Sequence, residues 1–241
     1  MLLAIIGRKG SLMKNTTHKS NLKRIFLRVF AVILLLVGLA LVFNKQISDR
    51  LISHNQTKAI SSLTVKKIEE NQRKKGMYDF NKVKEVGLSE AIKSQSSKDA
   101  YAIGALAIPD VNMYLPVMLG MSDAAMTTGG GTMRSDQVMG KGNYPLAGHY
   151  MTSKGILFSP LEDAKKCQLV YLTDLKKVFV YRIYMKKKVN PYAVYLVDNT
   201  TKPIVTLITC ADGGVNRWAV RGSLVKTVKA TQNNLKVFKL K

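Results

Sequence analysis

A thiol and an imidazole each follow an apolar segment of this sequence, and an arginine lies shortly after the thiol. The stretch 206–210 reads Thr-Leu-Ile-Thr-Cys and puts Cys210 at the end of a β-type run, with Arg217 downstream. The segment 146–149, Leu-Ala-Gly-His, supplies His149, whereas the other two histidines are near the N-terminus. A nucleophile, a proton-transfer group and an anion stabiliser are the minimum set for acyl transfer through a thioester.

The surroundings of Cys210 favour a reactive thiol. A cysteine at a strand end is more often a small apolar residue, but here the small-residue loop 211–214, Ala-Asp-Gly-Gly, places it beside an opening. A nearby cation would stabilise its thiolate. Arg217 and Arg221 lie on the same face of a strand, and proximity favours Arg217, whose guanidinium can offer two donors to an oxyanion. No carboxylate is marked as a partner of His149, so the sequence predicts a Cys–His pair.

The second cysteine, Cys167, precedes an apolar run and is predicted to be a buried, inert thiol. A disulfide with Cys210 is possible in an exported protein. Such a bridge would consume the proposed nucleophile, so we predict two separate thiols with different roles.

Short β-type runs alternate with turn residues from residue 101 onward. These runs are residues 103–108, 114–118, 167–172, 178–185, 204–210 and 218–225. The run 178–185 is apolar or aromatic on both faces, which is typical of a strand in a closed barrel. The glycine-rich segments 129–131 and 140–142 are predicted to be tight turns, because neither has the context of a phosphate-binding loop. Residues 160–165 are expected to form a short helix.

The charge and one long apolar segment indicate a membrane partner. The net charge of +23 favours an anionic neighbour, but the basic residues are spread along the chain and form no nucleic-acid module. Residues 25–43 are apolar apart from Arg28, and a helix over them would span about 28 Å, close to the hydrocarbon thickness of a bilayer. The dense basic cluster before this segment predicts a cytoplasmic N-terminus and an external C-terminal part.

The predicted organisation has four parts. These are a cytoplasmic basic N-terminus (1–24), a transmembrane signal-anchor (25–43), a polar stalk or linker (44–100) and a catalytic β-barrel (101–241). A cleaved signal peptide is the alternative for the apolar segment, since Gly-Leu-Ala at 38–40 has the form of a cleavage site. Met13 is an alternative start.

The order and spacing of several short segments resemble the sortases, most closely the class A housekeeping enzymes of Gram-positive bacteria. The segments are Ile-Pro at 108–109, Leu-Pro at 115–116, Gly-Gly-Gly-Thr-Met at 129–133, Leu-Ala-Gly-His at 146–149, Leu-Phe-Ser-Pro-Leu at 157–161 and Thr-Leu-Ile-Thr-Cys at 206–210. The resemblance implies an all-β fold, a closed eight-stranded sortase-type barrel with short helices. It also implies the family's catalytic roles for His149, Cys210 and Arg217.

By this resemblance the expected reaction is transpeptidation without a cofactor. Cys210 would cleave an LPXTG-type sorting signal of a surface protein between Thr and Gly, and the amine of a cell-wall precursor, lipid II, would resolve the thioester. Arg217 would hold the carbonyl oxygen, and His149 would protonate the leaving amine. The groove expected to bind the signal is formed by Ala147, Pro191, Val194, Leu196, Val197, Ile208 and Thr209. Because residues 120–125 offer Asp123 alone and Asp198 is isolated, no calcium requirement is expected.

Three alternative functions follow from the same sequence. Gly-Val-Asn at 214–216 resembles pilin-polymerising class C sortases, but neither an inhibitory lid motif nor a second membrane helix is seen. A secreted cysteine peptidase would hydrolyse its thioester without needing an amine. A basic wall-binding module on a stalk would need no thiol at all.

Overall fold

The computed structural model describes residues 17–79, 92–93, 97, 99–153 and 155–240. The chain divides into two compact units, Met1–Asn44 and Lys45–Lys241. The first contains helix α1 (Thr17–Val42). Its stretch Lys23–Val42 is long and apolar enough to cross a membrane, and none of it is buried within the protein. This helix is consistent with a membrane anchor. The basic N-terminus predicted for residues 1–24 lies largely outside the described residues.

The second unit is a β-barrel with short helices. Its helices are α2 (Asn44–Ser61), α3 (Val65–Gln72), α4 (Asp123–Thr128) and α5 (Gln232–Leu235). Only the first residue of α2, Asn44, belongs to the first unit. Its strands are β1 (Ala102–Ile108), β2 (Met113–Met118), β3 (Gly130–Thr132), β4 (Asn143–Ala147), β5 (Leu169–Thr173), β6 (Lys177–Val189), β7 (Ile204–Ala211) and β8 (Asn216–Lys229). Short 3₁₀ turns occupy Pro109–Val111, Ser159–Asp163, Val194–Leu196, Asp212–Gly214 and Lys236–Phe238.

The eight strands close in the order β1-β2-β3-β4-β7-β8-β6-β5. The pairs β2–β3 and β4–β7 are parallel, and the other six are antiparallel. This architecture confirms the predicted fold class. All six predicted β-type runs overlap strands. A short 3₁₀ helix at Ser159–Asp163 overlaps the short helix expected at 160–165.

Alternation along the strands separates the barrel interior from an outer face that includes Cys210. In β7, Val205 and Leu207 pack in the central apolar core. Successive side chains of a strand point to opposite faces, so Ile208 and Cys210 lie on the outside. Ile208 accordingly packs in a separate cluster with methionines of α4 and its flanking segments, including Met126.

Residues 44–100, predicted to be a polar stalk or linker, contain helices that pack on the barrel. Helix α3 is capped by Thr64, whose hydroxyl accepts a hydrogen bond from the backbone of Lys67, and its Ile68 is buried. Asn71 Nδ2 donates to the carbonyl of Ala102 in β1 over 2.8 Å. Apolar residues spaced along α2 and α3 thus find partners on the barrel, which the high polar content of this segment concealed. Most of residues 80–98 lie outside the described part of the chain.

Candidate active site

His149 and Cys210 follow equivalent positions of two adjacent parallel strands. In the β4–β7 pair, Ala147 is in register with Ile208, and the backbone N–H of Gly148 donates to the carbonyl of Ile208 over 3.1 Å. His149 and Cys210 come after Ala147 and Ile208 at the same offset. Neighbouring strands are about 4.8 Å apart, so the register brings the backbones of His149 and Cys210 to the same end of the barrel.

Arg217 lies directly opposite Cys210 in the antiparallel β7–β8 pair. Opposed residues of such a pair share one face of the sheet, so the guanidinium emerges on the same side as the thiol. Its Nη1 donates to the carbonyls of Gly214 and Asn216 over 2.6 and 2.9 Å. Those bonds do not use Nη2 or Nε, and a guanidinium has five N–H donors in total. Within the described part of the chain, these two nitrogens are thus left for a substrate oxygen.

The loop after Cys210 is bent by three residues in the left-handed region. Asp212, Gly213 and Gly214 have φ values of 52°, 64° and 95°. The Asp212 carboxylate fixes the turn: Lys188 Nζ lies 2.5 Å from its Oδ1, and Asn216 Nδ2 donates to its Oδ2 over 2.9 Å. The Asp212 carboxylate, two residues after Cys210, therefore stabilises the loop by binding Lys188 and Asn216. The cation opposite Cys210 is Arg217.

The position of His149 is fixed by a buried phenyl ring. The backbone N–H of Phe158 donates to the carbonyl of His149 over 3.0 Å, and Phe158 has no exposed surface. The ring lies so close to Gly148 that a Cβ there would be 2.2 Å from its Cδ1. Gly148 is thus required by close packing. This contact gives a physical reason for two of the sequence motifs, Leu-Ala-Gly-His and Leu-Phe-Ser-Pro-Leu.

Desolvation favours the neutral form of the imidazole. Removal from water lowers the pKa of His149 to about 4, and the nearby carboxylate of Asp123 opposes this change more weakly. Asp123 lies in the first turn of α4, after the helix cap Ser122, and the sequence did not indicate it as a neighbour of the histidine. Its approach depends on how α4 packs on the barrel, which local sequence does not specify. At neutral pH His149 can accept a proton as the thiol attacks.

Five of the seven predicted groove residues have side-chain surface on the outer side of the barrel. Ala147, Val197 and Ile208 are partly buried and pack against the same methionine cluster. Pro191 is half-buried, and Val194 is 73% exposed. This apolar surface lies between β4, β7 and the loop that joins β6 to β7.

The other two predicted groove residues, Leu196 and Thr209, differ from expectation. Each is only 2% exposed, so neither side chain can contact a peptide in this arrangement. Thr209 alternates with Cys210 along β7 and therefore faces the other side of the sheet. Leu196 is held in place by its backbone carbonyl, which accepts hydrogen bonds from buried Asn143 of β4 and partly buried Arg221 of β8.

Cys167 is exposed, so the prediction of a buried thiol is wrong. It lies in a turn before β5 with a φ of 72°, and its backbone N–H donates to the carbonyl of Ile183 over 2.8 Å. The turn directs its side chain outward although an apolar strand follows. Cys210 is partly buried, and both residues are free thiols.

A cavity of about 590 Å³ lies beside the segment that follows His149. Tyr150 and Glu162 line it and are joined by a 2.6 Å hydrogen bond from the phenol to the carboxylate. Cys210 and Arg217 are not among its lining residues. Within the described part of the chain, no group of three or more His, Cys, Asp or Glu side chains is placed to hold a metal ion.

Comparison with known proteins identifies the family of this chain. Residues 106–225 match the Sortase domain family. Sortase A of Streptococcus agalactiae is 40% identical over 225 residues, covering 88% of this chain and 91% of the relative. Sortase A of Listeria monocytogenes is 36% identical over 209 residues, covering 85% and 94%. A crystal structure of sortase A from Listeria monocytogenes superposes with a TM-score of 0.56 at 42% identity, covering 58% of this chain and 99% of that one.

Proposed function

Because this chain belongs to the sortase family of cysteine transpeptidases, and within it to class A, we propose that Cys210, His149 and Arg217 carry out its two acyl transfers. The enzyme cleaves LPXTG-type sorting signals. The observation that supports the assignment is the strand register. Ala147 and Ile208, each two residues before His149 and Cys210, pair across β4–β7, and Arg217 lies opposite Cys210 across β7–β8. Relatives that are class A enzymes favour this reading over a pilin-polymerising class C enzyme.

In the first step the Cys210 sulfur attacks the carbonyl carbon of the Thr residue in the signal, whose peptide bond leads to Gly. The thiol proton moves to the neutral His149 imidazole, and the Arg217 guanidinium donates hydrogen bonds to the oxygen as it gains negative charge. The C–N bond then breaks, and His149 gives its proton to the departing amine. The products are a thioester on Cys210 and a free glycine amine.

In the second step an amine attacks the thioester carbonyl. His149 takes the proton of the incoming amine, Arg217 again stabilises the oxyanion, and the Cys210 sulfur leaves and recovers a proton. We propose that the acceptor is the amine of lipid II or of peptidoglycan. A neutral imidazole suits both steps, since it can accept a proton in each and return it in each.

The apolar outer surface suits the Leu-Pro part of a sorting signal. We propose that Ala147, Ile208 and Val197 contact these side chains, with Pro191 and Val194 at the edge of the same surface. Their shared cluster with methionines supports this role, because flexible thioether side chains adapt to the shape of a bound apolar group.

We propose that α1 anchors the enzyme by a single pass, with the barrel outside the cell. The length and apolar character of Lys23–Val42 support this topology. It would place the thiol on the side of the membrane where surface proteins emerge and where the lipid-linked acceptor is available.

One experiment tests the proposed reaction. The detergent-solubilised full chain is incubated with an LPXTG peptide, with and without hydroxylamine or an oligoglycine amine. A transferase turns over faster with amine and yields the aminolysis product, whereas a plain hydrolase is unaffected. Cys210→Ala is expected to abolish cleavage, and Cys167→Ala, which removes an exposed thiol, should retain it. Equal loss of cleavage in both variants, with folding preserved, would refute the assignment of the nucleophile.

A further inference from the structure

The loop between β6 and β7 has an exposed tip, residues 192–195, and a hydrogen-bonded stem, residues 196–199. At the tip, Tyr192, Val194 and Tyr195 are 87%, 73% and 61% exposed. In the stem, Leu196 is 2% exposed, and Val197 packs against the apolar cluster that includes Ile208. Large apolar side chains that are exposed to solvent next to a groove are available to contact a ligand. Their position over the groove depends on the hydrogen bonds that fix the stem.

Buried Asn143 of β4 binds the stem from below. Its Nδ2 donates to the carbonyls of Leu196 and Asp198, each over 2.8 Å, and its backbone N–H donates to Asn199 Oδ1 over 3.2 Å. Its Oδ1 accepts a 2.7 Å hydrogen bond from the hydroxyl of Thr206, which is also completely buried. The hydrogen bonds of the Asn143 amide thus connect the loop to β4 and β7.

Arg221 of β8 completes the network. It lies opposite Thr206 in the β7–β8 pair, donates through Nε to the Thr206 hydroxyl over 3.2 Å, and donates through Nη2 to the carbonyl of Leu196 over 2.8 Å. The carbonyl of Leu196 therefore accepts from both Asn143 and Arg221. Arg134 adds a separate contact, since its Nη1 donates to the carbonyl of Val197 over 3.2 Å.

We propose that Arg221, Thr206 and Asn143 are positioning residues that set the place of the β6–β7 loop over the groove and so determine selectivity for the apolar part of the sorting signal. This inference rests on the proposed function of the groove. The network joins β4, which precedes His149, to β7, which carries Cys210, and to β8, which carries Arg217, so it fixes the loop relative to all three strands. Without it, the loop would lose its alignment with the thiol while the catalytic residues remained in register.

The test uses a matched pair at Thr206. Thr206→Val keeps the side-chain volume but removes the hydroxyl that serves both Asn143 and Arg221, whereas Thr206→Ser keeps the hydroxyl. Steady-state kinetics on the detergent-solubilised full chain would use an LPXTG peptide and its analogue with Ala in place of Leu. We expect Thr206→Val to raise KM by about fivefold or more and to reduce the preference for Leu by a similar factor. Its kcat should stay within about twofold of wild type, and Thr206→Ser should restore KM and preference.

A second variant guards against a folding defect in the first. Arg134→Ala leaves the buried network intact and removes the contact to Val197, and it should shift KM and preference in the same direction by a smaller factor. Arg182→Ala, at an exposed residue of β6, is the control for loss of a strand arginine. If kcat and the amount of titratable Cys210 thiol fall in parallel while KM and the preference for Leu stay unchanged, the network has a merely structural role and the inference is overturned. Wild-type kinetics in both Thr206→Val and Arg134→Ala would also overturn it. Absence of peptide cleavage by the wild-type protein would instead refute the proposed function.

Discussion

Cys210 and Arg217 face each other across the β7–β8 pair as directly opposed residues. Arg221, on the same face of β8, is opposed to Thr206 and donates to the carbonyl of Leu196 instead. Sequence parity alone could not separate the two arginines. The register separates them, because it places Arg217 opposite the proposed nucleophile, Cys210, and Arg221 opposite Thr206, which belongs to the hydrogen-bond network of the β6–β7 loop. Substitutions at the two positions should therefore have different kinetic signatures.

Arg217→Lys is predicted to lower kcat/KM by about 10²-fold, since one ammonium cannot reproduce the two-donor geometry of a guanidinium at an oxyanion. The measurement is peptide cleavage by the full chain, with Arg182→Lys as the control on an exposed strand position. The rate of Cys210 alkylation by iodoacetamide would show that the thiol is still available. An unchanged kcat/KM would move the oxyanion role to Arg221.

Gly148→Ala is predicted to lower both stability and turnover. The added Cβ would lie 2.2 Å from Cδ1 and 2.4 Å from Cγ of the Phe158 ring, and overpacking of this kind costs about 1–3 kcal/mol. Relief requires a shift of either the ring or the backbone that carries His149. Thermal unfolding followed by circular dichroism, together with cleavage rates, measures the two effects.

A double variant distinguishes this clash from a general effect on the loop. Phe158→Leu removes the edge of the ring, so Gly148→Ala should cost less in that background than in the wild type. Simple additivity of the two changes, with full activity in Gly148→Ala, would show that the contact does not position His149.

The residues proposed to carry the chemistry were selected from the sequence because Cys210 and His149 each belong to a strong local signal. The run 204–210 has the alternation of a strand, Cys210 ends it, and His149 is the one histidine beyond the N-terminal region. The barrel itself followed from the resemblance. What escaped prediction depends on tertiary packing: β3 is three residues long, and β4 contains a proline and little alternation.

The same reason explains the residues whose environment was predicted incorrectly. Cys167 precedes an apolar strand, but a left-handed turn exposes it. Leu196 is apolar and next to the groove, but it is buried, and its backbone carbonyl accepts hydrogen bonds from Asn143 of β4 and Arg221 of β8. The proximity of Asp123 to His149 likewise depends on the packing of α4. The contacts of Leu196 and Asp123 join residues far apart in sequence, and the turn at Cys167 has no glycine to mark it, so no local pattern predicted them.

Thr209→Val is predicted to stabilise the protein by about 1 kcal/mol, because a buried hydroxyl without a partner costs free energy in the folded state. Thr209 Oγ1 is buried and has no hydrogen-bond partner within the described part of the chain. The isosteric change should leave cleavage of an LPXTG peptide unaltered, since the side chain faces away from Cys210. The same substitution at Thr206, whose hydroxyl makes two hydrogen bonds, should destabilise the protein. A large rise in KM for Thr209→Val would restore this side chain to the groove.

The pKa of His149 predicts a pH dependence of stability below neutrality. The folded protein holds this pKa at about 4, below the ordinary value of 6.5, so between these pH values the unfolded chain binds more protons than the folded one. The free energy of unfolding should therefore fall as the pH is lowered from about 6.5 to about 4, and should not depend on His149 above that range. Urea unfolding at several pH values, followed by the fluorescence of the single tryptophan, Trp218, measures this slope. His149→Gln keeps a neutral polar side chain at all these pH values, so its curve should be flatter than that of wild type in this interval alone. Parallel curves for the two proteins would mean that the imidazole is not held neutral by burial, and the proton transfers assigned to it would need a different resting state.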